Sequence, residues 1–139
     1  QAEMFVTVWL GILDLRTGEL KAANAGHEYP VVTRAEGKFE LVKDKHGFVI
    51  GGMEGIKYKE YEIKMGPGEE LFLYTDGVPE ATNARNELYG TERMMAVLNS
   101  SQGMEPEKVL KMVKADVDRF VGDAPQFDDL TMLCVRYNG

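Results

Sequence analysis

Glu69-Glu70-Leu71-Phe72-Leu73-Tyr74-Thr75-Asp76-Gly77-Val78-Pro79-Glu80-Ala81 is the stretch whose reading decides the fold. Leu71 to Tyr74 is an apolar, aromatic run of strand length, entered from Gly66-Pro67-Gly68 and closed by Gly77 and Pro79. Breakers on both sides of such a run predict a buried strand that stops abruptly. Asp76 then falls at the strand's end, where a carboxylate can point away from the sheet, and Gly77 lets the backbone turn off sharply. Taken alone, Asp76-Gly77 reads equally as an ordinary strand-ending turn.

Working outward, the segments before this stretch also read as strands. Met4 to Leu13 is rich in β-branched and aromatic residues and predicts a buried strand. Asp14 to Glu19 supplies turn chemistry, with Gly18 at the position needing positive φ, and a second strand follows from Leu20 to Asn24. Val31–Arg34 and Lys38–Val42 flank Ala35-Glu36-Gly37 as another hairpin. Lys43 to Gly55, with Gly47, Gly51, Gly52 and Gly55, reads as a loop. Tyr58 to Met65 alternates polar and apolar residues, as a strand with one wet face does, and is expected to pair with Glu69–Tyr74 across Gly66-Pro67-Gly68.

Beyond Ala81 the period changes. Thr91 reads as an N-cap, with Met94, Met95 and Leu98 at helical spacing. Pro106 suits the first turn of a longer helix whose apolar face is Val109, Leu110, Val113, Val117 and Phe120, ended by Gly122. The methionines read as core filler. Leu130 to Tyr137 is apolar on both faces apart from Arg136 and reads as a central strand. Residues 1–139 form one domain in this reading, mostly antiparallel strands with two helices.

Composition narrows the function classes. The chain has 139 residues, 44% of them hydrophobic, enough for a sizeable core. Sixteen basic residues against 23 acidic ones give a net charge of −7, which argues against nucleic acid or an anionic membrane as partner. No apolar run approaches the ~20 residues of a membrane span. The single cysteine, Cys134, lies in an apolar run as a core thiol, and a cytoplasmic setting fits.

Candidate chemistry is sparse. Asp128-Asp129 stands immediately before the last apolar strand, as Asp76 stands immediately after another, 52 residues earlier (128 − 76). Two acid-bearing strand ends can meet at one sheet edge, where oxygen ligands suit Mg²⁺ or Mn²⁺. The competing reading is that Asp128-Asp129 merely ends a loop. His27 and His46 lack metal-ligand spacing to another His or Cys, and His46 reads as structural. No nucleophile elbow, phosphate-cradling Gly-rich loop or dinucleotide fingerprint is present.

Four segments, T-G-E-L-K-A-A-N-A-G-H, E-E-L-F-L-Y-T-D-G-V-P-E-A, E-L-Y-G and Q-F-D-D-L-T-M-L-C-V, taken in order and spacing, change that balance. Together they resemble the SpoIIE-type branch of the bacterial metal-dependent (PPM) protein serine/threonine phosphatases. The resemblance implies an α+β fold, an αββα sandwich of antiparallel sheets flanked by helices. It implies two Mn²⁺ or Mg²⁺ ions and a metal-bridged water that attacks phosphoserine or phosphothreonine on a regulatory protein of the anti-sigma-antagonist type. By the same resemblance Asp76 is a ligand of one ion and Asp128 of the other, with Asp129 a weaker candidate and Gly77 lining the site. His27 occupies a position that is Asp in the eukaryotic-type enzymes, where it helps hold a third ion. Glu80 belongs to the matching stretch without an assigned role.

One departure matters. The family's metal-bridging Asp-Val-x-Gly-x-Gly motif is not in this sequence; Asp116-Val117 continues as Asp118-Arg119 inside the amphipathic helix. The expectation is therefore the C-terminal two-thirds of a phosphatase domain, with its N-terminal portion absent, inactive alone and prone to self-association through exposed apolar surface. Two other classes remain. One is a catalytically inactive phosphatase-like binding module in bacterial signalling. The other is a haloacid-dehalogenase-type hydrolase, which needs Asp at position 74, where the chain has Tyr74.

Overall fold

The computed structural model describes residues 6–43, 58–126 and 128–139. The expectations for His46 and the glycine-rich loop fall outside the described residues, as does the start of the first strand. Seven strands and two helices follow in order. They are β1 (Val8–Leu13), β2 (Glu19–Ala25), β3 (Val31–Thr33), β4 (Phe39–Leu41), β5 (Glu60–Lys64), β6 (Glu70–Tyr74), α1 (Gly90–Ser100), α2 (Pro106–Val121) and β7 (Met132–Arg136). A short 3-10 turn at Ala35–Gly37 joins β3 to β4.

The strands form two antiparallel sheets, one in the order β1-β2-β5 and the other β4-β3-β6-β7. Period-2 alternation decides what each residue meets. On β6, Leu71 and Leu73 face the three-stranded sheet, joining Leu20, Ile63, Met65 and Tyr137 in an inter-sheet core. Phe72 and Tyr74 face the other way, toward Met94 and Leu98 of α1 and Val109, Val113 and Val117 of α2. Val31 and Val32 split in the same manner. The four-stranded sheet is thus a middle layer, apolar on both faces.

Side-chain hydrogen bonds fix the layers to one another. Trp9 Nε1 donates to Tyr61 Oη across the first sheet at 2.7 Å, and Tyr137 Oη donates to the Leu15 carbonyl at 2.9 Å. Gly18 has φ +79°, and a Cβ there would lie 2.1 Å from the Met65 carbonyl oxygen, so the first turn needs glycine for both reasons. The Cys134 thiol is buried and pushed up to about 12, by burial first and then by its bond to Glu70, which makes it an inert core thiol.

Four expectations are corrected. β5 does not pair with β6: it pairs with β2, from Glu19↔Lys64 to Ala23↔Glu60, while β6 lies between β3 and β7. Gly66-Pro67-Gly68 therefore crosses between sheets instead of closing a hairpin. β7 is an edge strand rather than a central one. It reads as apolar on both faces because α2 packs against it on one side. β1 is only half buried, with Leu10 and Ile12 62% and 68% exposed on its outer face. Thr91 forms no cap, since no side-chain hydrogen bond closes the first turn of α1.

Candidate functional site

Asp76 stands two residues past the end of β6, after Thr75, and is exposed. The turn after it is held by local bonds, Val78 N to the Thr75 carbonyl at 3.1 Å and Glu80 N to the Asp76 carbonyl at 2.9 Å. Val78 anchors this turn in the helix-side core. Further along, Tyr89 N donates to the Ala81 carbonyl at 2.7 Å, and the Tyr89 hydroxyl donates to Asp116 on α2 at 2.6 Å. Burial and that bond push the Tyr89 phenol upward, so it stays a neutral donor.

Asp128 and Asp129 arrive from the other side, just before β7. Thr75 joins the two segments. Its amide donates to the Thr131 carbonyl at 3.0 Å, while its hydroxyl donates to the Asp129 carbonyl and accepts from Thr131 N, both at 3.2 Å. Gly77 makes the approach possible. A Cβ there would lie 2.1 Å from the Asp129 carbonyl oxygen and 2.8 Å from its carbon, which no side chain survives without displacement. The two acid-bearing strand ends predicted from sequence therefore do meet, backbone against backbone. The Asp128 carboxylate accepts the Asp129 amide at 2.7 Å, and Gln126 Nε2 donates to the Asp128 carbonyl at 2.6 Å.

A third acid belongs here that sequence reading missed. Asn24, buried at the end of β2, accepts the His27 amide at 2.8 Å, which folds the chain so that Glu28 is carried to Asp76. Glu28 is raised to about 7: first by its hydrogen bond with the Asp76 carboxyl, then by partial burial, then by the charges of Asp76 and Glu80. Tyr74 is also pushed upward, by burial and then by Glu28 and Asp76. The signal available in the sequence was an acid directly after the quoted N-A-G-H segment. It carries no information about where that turn points.

His27 lies beside this cluster. With Trp9, Tyr74, Thr75 and Thr131 it lines a cavity of about 140 Å³, and its Nδ1 is buried without a hydrogen-bond partner. Among the described residues no three His, Cys, Asp or Glu side chains converge into a complete cation cage; Glu80 acts on Glu28 only through space. The donors that do gather are all carboxyl oxygens, the ligand type Mg²⁺ and Mn²⁺ prefer. The upward shift of Glu28 reflects negative charge gathered beside it, from Asp76 and then Glu80, which a divalent cation would relieve. Glu28 and Asp76 suit such an ion as two of its oxygen ligands, not as a complete site.

Two antiparallel sheets with a helix layer are the fold of solved PP2C-type phosphatase domains. The SiaA-PP2C domain of Pseudomonas aeruginosa superposes with a TM-score of 0.81 at 23% identity, over 95% of this chain and 52% of that one. The phosphatase domain of SpoIIE from Bacillus subtilis, presoaked in Mn, superposes at 0.73 and 20% identity, over 96% of this chain and 56% of that one. Protein IcfG of Synechocystis sp. is 33% identical over 135 residues, 97% of this chain and 21% of its own length. The Stage II sporulation protein E (SpoIIE) family model matches residues 1–138, and the chain belongs to that family. It spans about a fifth of the curated relative and about half of the two solved domains.

Proposed function

We propose that this chain contributes to a metal-dependent phosphatase that hydrolyses phosphoserine or phosphothreonine on a regulatory protein of the anti-sigma-antagonist type. The observation that carries the proposal is the junction at Thr75 and Gly77, which brings the Asp76 turn against the Asp128-Asp129 segment. In this reading Asp76 and Asp128 hold Mn²⁺ or Mg²⁺ ions, with Asp129 as an auxiliary ligand. Glu28 joins Asp76, and Gly77 and His27 line the site. Ions bound there would supply Lewis-acid activation of water and would screen the phosphoryl oxygens.

The chain's own residues do the rest. Thr75 holds the two acid-bearing segments in register. Gly77 leaves their backbones in contact. Asn24 aims the Glu28 turn at Asp76. Because the metal-bridging Asp-Val-x-Gly-x-Gly motif of the family is not in this sequence, this chain by itself is proposed to be inactive on phosphate esters, and the full-length protein to be the active form. No helix among the described residues is long and apolar enough to cross a membrane. The cytoplasm as the place of the activity is part of the same family reading.

Asp76→Asn in the full-length protein tests this reading. Asp76 is exposed at a strand end, so the variant is expected to keep its melting temperature. Its Mn²⁺-dependent hydrolysis of a phosphoprotein and of p-nitrophenyl phosphate is expected to fall by at least about 100-fold. Wild-type turnover by Asp76→Asn would remove the ligand assignment. A wild-type protein that binds phosphoprotein but turns nothing over would point instead to an inactive phosphatase-like binding module.

A further inference from the structure

Beside the acid-bearing junction runs a cleft of about 110 Å³ between α2 and the turn that follows Asp76. Its apolar lining is Ala81, Val117, Val121 and Leu130, and it shares Gly77, Glu80 and Asp128 with the candidate site. A cavity of about 150 Å³ admits a benzene ring. A space somewhat smaller than that, open on one side, suits an aliphatic side chain.

The rim is charged and one-sided. Apart from Asp128, which the proposed function assigns to a metal ion, the charged lining is Glu80 and Asp118 with Lys114, two acids against one base, a balance of −1. Lys114 is already engaged, with Nζ 2.6 Å from both carboxyl oxygens of Asp118. An occupant carrying a positive charge next to its apolar group therefore matches the rim, whereas an acidic one is repelled. Because the cleft is continuous with the Asp76–Asp128 junction, an occupant seated in it lies within a few residues of whatever occupies the site.

We propose that this cleft is a specificity subsite. It takes an aliphatic side chain, flanked by Lys or Arg, from the phosphoprotein segment within a few residues of the phosphorylated Ser or Thr. The proposal rests on the phosphatase reading and adds the substrate's local sequence to it. Affinity comes from the apolar lining, and selection against acidic neighbours comes from the rim.

The test uses the full-length protein, two phosphopeptides and two variants. One peptide carries Leu-Arg near the phosphoserine; the other carries Asn-Glu at the same places. Val121→Trp fills the cleft. Asp118→Lys reverses the rim charge at a side chain that is 59% exposed, so the fold is kept and this variant decides the test if Val121→Trp does not fold. Wild type is expected to favour the Leu-Arg peptide through KM by about tenfold. Both variants should erase that preference while leaving hydrolysis of p-nitrophenyl phosphate unchanged.

Unchanged KM values for both peptides in Asp118→Lys and in folded Val121→Trp overturn the subsite. Fluorescence anisotropy with the same peptides, read in parallel, separates the two proposals. Should wild type hydrolyse nothing in Mn²⁺, the phosphatase reading falls. The subsite then stands if the Leu-Arg peptide still binds with a preference the variants erase, and falls if it does not.

Discussion

The Thr75 hydroxyl donates to the Asp129 carbonyl over 3.2 Å, so that a side chain at the end of β6 holds the backbone that leads into β7. The same oxygen accepts the Thr131 amide, which makes Thr75 a clamp on both sides of Leu130. Thr75→Val keeps the shape and removes both bonds. A loss of about 1 kcal/mol in stability is expected, since the site is partly open to water. The larger effect should be functional: in the full-length protein the Mn²⁺ concentration needed for half-maximal turnover should rise. Thr75→Ser, which keeps the hydroxyl, should restore it. A Thr75→Val protein with unaltered Mn²⁺ dependence would show that the clamp does not position Asp128.

Glu28 gives the site a pH signature in the absence of metal. Its carboxyl is raised from 4.5 to about 7 by the hydrogen bond with Asp76, by burial and by neighbouring negative charge. A raised acid favours the folded state while it is protonated. Its contribution is therefore complete below about pH 4.5 and is lost as pH rises through about 7. Glu28→Gln mimics the protonated form. In chelator, wild type should lose stability relative to Glu28→Gln between pH 4.5 and 7, and chemical denaturation at several pH values reads that difference. Parallel curves for the two proteins across this range would mean that the surroundings of Glu28 do not raise its carboxyl.

The sequence announced some of this and hid the rest for identifiable reasons. Asp76 and Asp128 were legible because an acid next to an abrupt strand end is a local pattern. Their meeting depends on Gly77, whose missing Cβ could be read as turn chemistry but not as room for the Asp129 carbonyl. Glu28 was hidden because the buried Asn24 side chain sets its direction, and one amide at the end of an alanine-rich strand gives no warning of that. The partner of β5 was hidden because Gly66-Pro67-Gly68 looks the same whether it closes a hairpin or passes from one sheet to the other. β7 was misplaced because a helix laid over an edge strand makes it as apolar as a central one.

The outer face of β1 carries its own expectation. Leu10 and Ile12 are exposed together on that face, and among the described residues β1 is also an edge of its sheet, so apolar side chains lie beside an open strand edge. Such edges pair with other chains unless charge or a covering element prevents it. This chain is expected to self-associate at high concentration. The double substitution Leu10→Lys with Ile12→Lys should return it to monomer without lowering its melting temperature. Light scattering that reports the same mass for both proteins would exclude this face as the contact.

Arg136, the one charge in an otherwise apolar strand, answers a buried acid. Glu70 is 2% exposed, and its oxygens meet Arg136 Nη2 at 3.5 Å and the Cys134 thiol at 3.2 Å. Arg136 is itself held by Glu105 at 2.9 Å and by the Met104 carbonyl at 2.5 Å. That ties β6 and β7 to the segment entering α2. Arg136→Ala leaves the Glu70 charge buried without its cation, which costs about 3–5 kcal/mol. In a chain of this size that lowers Tm by more than about 10 °C. Adding Glu70→Gln removes the stranded charge and should recover a substantial part of the loss, because the cost lies in the unpaired ion and not in the missing attraction. Calorimetry of the two single variants and the double variant measures this directly. If the double variant melts at the sum of the two single losses, Glu70 and Arg136 act independently and the pair is not what holds this corner of the sheet.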